Sequence, residues 1–327
     1  MTASAEPASE GRLRLTVVGG YLGSGKTTWL RHQLFERAFG RAEVLVNEAA
    51  ETPVDDALLA GAEGLRVLSG GCVCCTARDD LITALRALCD ARSQRDSRGP
   101  RAEQVVLETS GLADPAPIVE AIRADPVLVY HIVVSEVVVI VDALHALAQL
   151  RSEPLGRQQI ETADRLILTK VDVAGPADLS RLVATLRRIN PAAPISAAIL
   201  GTPADLPPLD PDAAAEDLPA LDGTAAAPVF PARLVLDEST DWTAFAVWLS
   251  ALLHARGDDV LRVKGVVRTP AGRLLLQAVR RVVQSPEILP EQGPEGGRED
   301  GTIVVIGRGY EAADLSTSLR RFTRAGG

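Results

Sequence analysis

Aromatic side chains are scarce: Phe, Trp and Tyr make up 3% of the 327 residues, and there is one Met. A core must therefore be filled by Ala, Leu and Val, which is feasible because 46% of the chain is hydrophobic. Long apolar runs are also lacking. The longest, such as Val137–Val141 and Ala244–Leu249, fall far short of the ~20 residues a membrane helix needs, so no membrane partner is expected. Positive charge is not in excess. The net charge is −9 with no recurring basic stripe, which argues against a nucleic-acid partner. The opening MTASAEPASEGR has no apolar h-region and reads as a short tail over 1–12, not a signal peptide. A cytoplasmic location is the expectation, with the four cysteines reduced there. Histidine is sparse as well. His32, His131, His145 and His254 are scattered, with no ligand spacing, and read as structural or exposed.

What is present is concentrated early in the chain. The apolar run Leu13–Val18 leads into GGYLGSGKTT at Gly19–Thr28, followed by a helical pattern over Trp29–Phe39. Strand, Gly20-x4-Gly25-Lys26-Thr27 and helix together form a P-loop. Glycines let backbone N–H groups turn inward around a phosphate chain, Lys26 reaches the terminal phosphates and Thr27 ligates magnesium. The helix adds its positive end to the same site. Gly20, Gly23, Ser24, Gly25, Lys26, Thr27 and Thr28 are thus the expected phosphate-binding set.

From Leu13 to about Leu200, short strand-like runs alternate with helical patterns. The runs are Glu43–Asn47, Leu65–Leu68, Gln104–Glu108, Val137–Asp142, Arg165–Thr169 and Ile195–Ile199. This rhythm predicts an α/β fold with a doubly wound, mostly parallel sheet of P-loop NTPase type over 13–200. Arg92–Arg101 is polar and Arg-rich and reads as a surface loop. Pro, Ala and Asp without periodicity suggest a linker over 201–228. A smaller α+β domain is expected over 229–327, with an amphipathic helix marked by Trp242, Phe245, Leu249 and Leu252 behind Asp241. Strands are predicted at Val260–Val267, Arg273–Val283 and Thr302–Gly307, with a last helix over Glu311–Phe322 and a loop at Pro290–Gly301. No internal repeat is visible.

Four further segments carry chemistry. Glu108-Thr-Ser-Gly111 closes a strand, where a second magnesium-site carboxylate belongs, and Gly111 can offer its N–H to a γ-phosphate. Thr169-Lys170-Val171-Asp172 closes another. There Asp172 can accept both guanine N–H groups while the Lys170 stem lies over the base, although GTPases normally show Asn in place of Thr169. Cys72-Val-Cys74-Cys75 places three thiols in four residues. Thiolates this dense repel one another unless a soft cation intervenes, so zinc or a related metal is the natural occupant. Buried thiols or a redox switch remain alternatives. Cys89, in the helical stretch Asp79–Asp90, reads as a core residue. Asn47–Asp55 stands where a first switch loop belongs, and Glu48, Glu51 or Asp55 could reach a metal.

Together these segments resemble the CobW-like family of P-loop GTPases, whose members act as metal chaperones or metallocentre assembly factors. The matching stretches are GGYLGSGKTT, NEAAETPVDD, GGCVCC, LETSGLADPAPIV, Val141–Ala143, QIETADRLILTKVD and INPAAPI, with VLRVKGVV and IVVIGRG near the C-terminus. The resemblance implies GTP and Mg2+ as ligands, Cys72, Cys74 and Cys75 as thiolates for Zn2+ (or Co2+), and nucleotide control of metal capture. It implies a client metalloprotein as partner and leaves a homodimer open. Two departures stand out. The family's usual NEFGE is Asn47-Glu-Ala-Ala-Glu51 here, and no His-rich stretch is present. No arginine finger or catalytic Gln is evident, so slow basal GTP turnover by Lys26, Thr27 and Glu108 is expected. A P-loop kinase, a redox-sensing binding module and a cobalt or iron assembly factor are the competing readings.

Overall fold

The computed structural model describes residues 11–48, 64–69, 75–94, 102–219, 229–236, 241–257, 259–269, 272–279, 282–283, 287–289 and 301–325. The chain forms two compact units, Met1–Ala225 and Ala226–Gly327.

The first unit runs β1 (Leu13–Gly19), α1 (Lys26–Phe35), β2 (Ala42–Glu48), β3 (Gly64–Ser69), α2 (Cys75–Gln94), β4 (Gln104–Glu108), α3 (Pro115–Ala124) and α4 (Leu128–His131). It continues with β5 (Ile132–Asp142), α5 (Ala146–Ser152), α6 (Pro154–Thr162), β6 (Arg165–Thr169), α7 (Pro176–Ile189), β7 (Ile195–Ile199) and β8 (Thr202–Ala204). Among the described residues its eight strands lie in the order β3-β2-β4-β1-β5-β6-β7-β8. The first seven are parallel and β8 alone pairs antiparallel. Parallel strands carry helices on both faces and so read as near-continuous apolar runs; Val105, Val106 and Leu107 of β4 are fully buried, as is Val138 of β5. The chain winds one way from β1 to β3 and the other way from β5 to β7. The strand order therefore reverses at β1, and its carboxyl end opens the crevice where such sheets bind ligands.

Three expected boundaries shift for local reasons. The first helix begins at Lys26 rather than Trp29, because Gly25 takes a left-handed φ of 89° as its N-cap. It ends at Phe35 rather than Phe39, because Arg37 turns left-handed at φ 54°. Trp29, Leu30 and Leu34 on its inner face pack on Val18, Val44, Val106 and Ile140. β5 is longer than the apolar run suggested, starting at Ile132. Ser135-Glu136 interrupts the apolar pattern where the register with β1 slips at Leu15/Thr16, and Ser135 Oγ donates to Leu15 O at 3.0 Å.

The stretch read as a linker is held by specific contacts as far as the structure describes it. Residues 202–204 form β8, and the segment beyond lies along α7. Asp210 N–H donates to Ser180 Oγ at 3.0 Å and Glu216 N–H to Thr185 Oγ1 at 2.8 Å. The Glu216 carboxylate meets Arg151 at 2.8 Å, and Arg157 donates to Pro219 O at 2.7 Å. Composition signalled the lack of periodicity but not these anchors.

The second unit comprises β9 (Val229–Val235), α8 (Trp242–Arg256), β10 (Val260–Thr269), β11 (Gly272–Val279), β12 (Val282–Val283), β13 (Glu287–Leu289), β14 (Thr302–Arg308) and α9 (Ala312–Ala325). Its antiparallel sheet runs β12-β11-β10-β14-β9, with β13 also on β11. Phe245, Trp248, Leu249 and Leu253 of α8 and Leu315 and Leu319 of α9 pack against Val263, Val267, Ile303 and Val305 of the sheet. Asp241 caps α8 by accepting from Thr243 N–H at 2.9 Å. The expected strand Arg273–Val283 is divided into β11 and β12. β9 escaped the sequence reading because it contains Pro231, which is tolerated only on an edge strand, and β9 is one. Among the described residues no helix is long and apolar enough to cross a membrane.

Candidate functional site

The P-loop leaves the carboxyl end of β1 between β4 and β5 and closes onto α1. Gly20 sits at φ +136°, and a Cβ there would stand 2.3 Å from Ile140 O, so only glycine fits. Ser24 is buried at 1% exposure, and its hydroxyl has no hydrogen-bond partner among the described residues. Such a group is costly to bury alone and is suited to receive a phosphate oxygen. Lys26, 8% exposed, donates from Nζ to the carbonyls of Gly20 at 2.9 Å and Tyr21 at 3.0 Å. Its ammonium is thereby held at the mouth of the loop.

Thr27, on the first turn of α1, donates from Oγ1 to Glu108 Oε1 at 2.6 Å. Glu108 is 5% exposed and ends β4, in register with Val18 of β1 and Val46 of β2. A hydroxyl and a carboxylate paired at a helix N-terminus form an oxygen donor set suited to Mg2+. Thr109 holds the following loop by donating from N–H to Val18 O at 2.9 Å. Beyond it Gly111 abuts the P-loop: a Cβ there would stand 2.7 Å from Leu22 N. Gln159 of α6, buried at 1% exposure, donates to Ala113 O at 2.8 Å and Gly111 O at 3.4 Å. Asp114 caps α3, accepting from Ala116 N–H at 2.9 Å. Tyr21 O–H donates to Glu153, which joins α5 to α6, and this bond raises the Tyr21 pKa.

On the β6 side, Thr169 Oγ1 donates to Ser24 O at 2.7 Å and so ties the P-loop to the sheet. Lys170 takes a left-handed φ of 59°. Its Nζ donates to Gly23 O at 3.0 Å and to Asp142 Oδ2 at 2.7 Å. Asp172 is exposed at the following turn. Burial disfavours the Asp142 charge, but hydrogen bonds from Lys170, His145 and Leu144 N–H outweigh it and hold the carboxyl below the ordinary carboxylate value.

Lys26, Thr27, Glu108, Gly111, Thr169 and Lys170 thus surround one loop. Cys72, Cys74 and Glu51 lie outside the described residues, and Cys75 is described only as the first residue of α2. Among the described residues no three His, Cys, Asp or Glu side chains are grouped to hold a metal. Cys89 is buried at 4% exposure. Sequence reasoning assigned no role to Asp142, Gln159, Tyr21 or Glu153. Asp142 carried a signal, a carboxylate closing the apolar run Val137–Val141, and Gln159 heads the QIETADRLILTKVD stretch.

A P-loop at the reversal point of a parallel sheet, with a Thr–Glu pair beside it, defines a P-loop nucleotide-binding protein of the GTPase fold. The chain matches the model of the CobW/HypB/UreG nucleotide-binding domain over residues 14–197 and that of the cobalamin synthesis protein CobW C-terminal domain over 232–323. It belongs to this CobW/HypB/UreG family. The zinc chaperone YjiA of Escherichia coli is 38% identical over 184 residues, 56% of either chain. The zinc-regulated GTPase metalloprotein activator 1 of Schizosaccharomyces pombe is 32% identical over 184 residues, 54% of this chain and 43% of that one. These two matches therefore span about half of those relatives. The zinc chaperone CobW of Pseudomonas aeruginosa is 29% identical over 353 residues, 94% of this chain and 91% of that one. Among solved structures, Zn(II)-bound YjiA GTPase from E. coli aligns with a TM-score of 0.59 at 27% identity, covering 95% of this chain and 99% of that one. A Zn(II)-bound YjiA variant with one Glu and two Cys replaced by Ala aligns with a TM-score of 0.60 at 26% identity, with the same coverage.

Proposed function

We propose that this protein is a slow GTPase that captures zinc at Cys72, Cys74 and Cys75 and delivers it to a client metalloprotein in the cytoplasm. The observation that carries the reading is the convergence of Lys26, the Thr27–Glu108 pair at 2.6 Å and Lys170 on one loop. The zinc chaperone names of the relatives supply the cargo, and cobalt is the alternative metal. The GTPase domain would be 13–200 and the CobW C-terminal-like domain 229–327.

In this mechanism GTP lays its phosphates on Gly20–Thr28. Ser24 Oγ and the backbone N–H groups at the start of α1 receive phosphate oxygens, and Lys26 turns its ammonium from loop carbonyls to the terminal phosphates. Thr27 and Glu108 would hold Mg2+, which neutralises charge building on the phosphates when bound. Gly111 offers its N–H to the γ-phosphate, and Lys170 and Asp172 read the guanine. Hydrolysis withdraws the γ-phosphate and releases the Gly111 loop. Coupling to the thiols needs only ~1.4–2.8 kcal/mol for a 10- to 100-fold change in zinc affinity; Glu51 and the rest of Asn47–Asp55 would take part as switch.

The test is zinc affinity of the reduced protein by chelator competition, with Mg-GTP analogue, with Mg-GDP and without nucleotide, beside Cys74→Ala. Zn(II) is bound by a YjiA variant lacking two cysteines, so zinc retention alone does not identify thiolate ligation. Co(II) loading, read by its thiolate charge-transfer absorption, does. One-to-one binding that responds to nucleotide and loses that absorption in Cys74→Ala is the expected result. Nucleotide-indifferent binding would sink the chaperone reading.

A further inference from the structure

Asp142 closes β5 and is 4% exposed, yet it is surrounded by donors. Oδ1 accepts from Leu144 N–H at 2.9 Å, and Oδ2 accepts from Lys170 Nζ at 2.7 Å and lies 2.8 Å from His145 Nδ1. Lys170 spends a second donor on Gly23 O at 3.0 Å, at the tip of the P-loop. Its backbone stands at φ 59°, a left-handed conformation that costs a non-glycine residue about 1 kcal/mol or more. Something must hold it there. The same residue opens the turn closed by Val173 N–H to Lys170 O at 3.3 Å, and that turn contains Asp172. Ala143 N–H donates to Thr169 O at 3.0 Å, fixing the β5 end against the β6 end directly beside this turn.

We infer that Asp142 is a positioning residue for guanine recognition: as a buried anionic anchor steadied by His145, it fixes Lys170 across the tip of the P-loop and thereby sets the turn presenting Asp172. This rests on the proposed reading of Lys170 and Asp172 as the guanine-binding pair. A carboxylate is required because both of its oxygens must accept and one of the donors is an ammonium whose charge it balances. An amide of the same shape is a weaker, neutral acceptor, and its N–H₂ group must face either Leu144 N–H or Lys170 and His145 together. Both Asp142 oxygens are engaged by Leu144 N–H, Lys170 and His145, so its replacement is expected to act through Lys170 and the turn.

The experiment measures dissociation constants of fluorescent GDP and ADP analogues for the unsubstituted protein, Asp142→Asn, His145→Ala, Lys170→Ala and the Asp142→Asn/Lys170→Ala double variant. Asp142→Asn is expected to weaken guanine-nucleotide binding roughly 10- to 100-fold, the scale of a lost charged hydrogen bond. The guanine-over-adenine preference should fall with it, and His145→Ala should lose less. In the Lys170→Ala background the Asn substitution should add under about 3-fold, because the two residues act as one unit. A merely structural Asp142 would weaken both nucleotides alike and would add its full effect in the double variant; either result overturns the inference. Guanine preference that survives Asp142→Asn overturns it as well, while leaving the proposed function intact. Equal binding of the two nucleotides by the unsubstituted protein would instead overturn the guanine reading, and this inference with it.

Discussion

Gly111→Ala probes the contact between the P-loop and the loop expected to sense the γ-phosphate. The added methyl carbon would stand 2.7 Å from Leu22 N, 2.7 Å from Leu22 Cδ2 and 2.8 Å from Leu22 Cα. Carbon atoms rest about 3.5 Å apart or more, so one backbone must retreat by roughly 0.7–0.8 Å. Neither is loose. On one side Lys26 Nζ and Ser24 N–H both donate to Tyr21 O, at 3.0 and 3.2 Å. On the other, Gln159 holds Ala113 O at 2.8 Å. The displacement is therefore shared between the phosphate cradle and the Gly111 N–H. Misplacement approaching 1 Å in a reacting site costs on the order of 100-fold, so kcat/KM for GTP should fall about 10- to 100-fold, ~1.4–2.8 kcal/mol of barrier. Overpacking of this kind also destabilises by about 1–3 kcal/mol, which lowers Tm by roughly 2–12 °C for a domain of this size. Phosphate release against GTP concentration gives the first quantity, and binding of GTP and GDP analogues gives a second. GTP should lose more than GDP, because only GTP presents a γ-phosphate to this loop. A kcat/KM within about 3-fold of wild type, with an unchanged GTP-to-GDP affinity ratio, would refute the reasoning.

Thr27→Ala removes the hydroxyl 2.6 Å from Glu108 Oε1; nucleotide affinity should fall at least about 10-fold in the presence of Mg2+ and far less in EDTA, as titration with a fluorescent GDP analogue would read. Asp125 accepts from Arg86 at 2.7 Å and from Val127 and Leu128 N–H at 3.0 Å each. Burial works to raise its pKa, but these bonds dominate and lower it. Its stabilisation is therefore complete above the unfolded-state value of about 3.9 and is lost as pH falls through the lower folded-state value. Acid melting curves should show Asp125→Asn destabilised at neutral pH, with the gap to wild type closing below that range. Burial pushes the Cys89 thiol up to about 11, so alkylation at pH 8 followed by peptide mapping should leave Cys89 unmodified in the folded protein and modify it fully in guanidinium.

Most strands were legible because a parallel strand buried on both faces is written as an unbroken apolar run. β4, β6 and β7 fall at the residues the pattern marks. The misses have physical causes. Ser135-Glu136 hid the first half of β5 because a register slip lets polar residues into the strand. Pro231 disguised β9, although an edge position has no need of the missing N–H. The composition of 201–228 suggested a linker, but could not say that Ser180 and Thr185 of α7 would bind the backbone of Asp210 and Glu216.

The sequence by itself determined the P-loop, the carboxylate closing β4 and the TKVD turn. Each is a local motif whose backbone geometry depends on residues within a few positions of one another. What joins them was decided by the tertiary structure alone. Glu108 reaches Thr27 across 81 positions, Thr169 reaches Ser24 across 145, and Asp142 reaches Lys170 across 28. Such pairs arise where a strand order that reverses at β1 brings distant carboxyl ends to one crevice. No spacing along the chain encodes that juxtaposition, because it is set by how the sheet winds and not by which residues are neighbours in sequence.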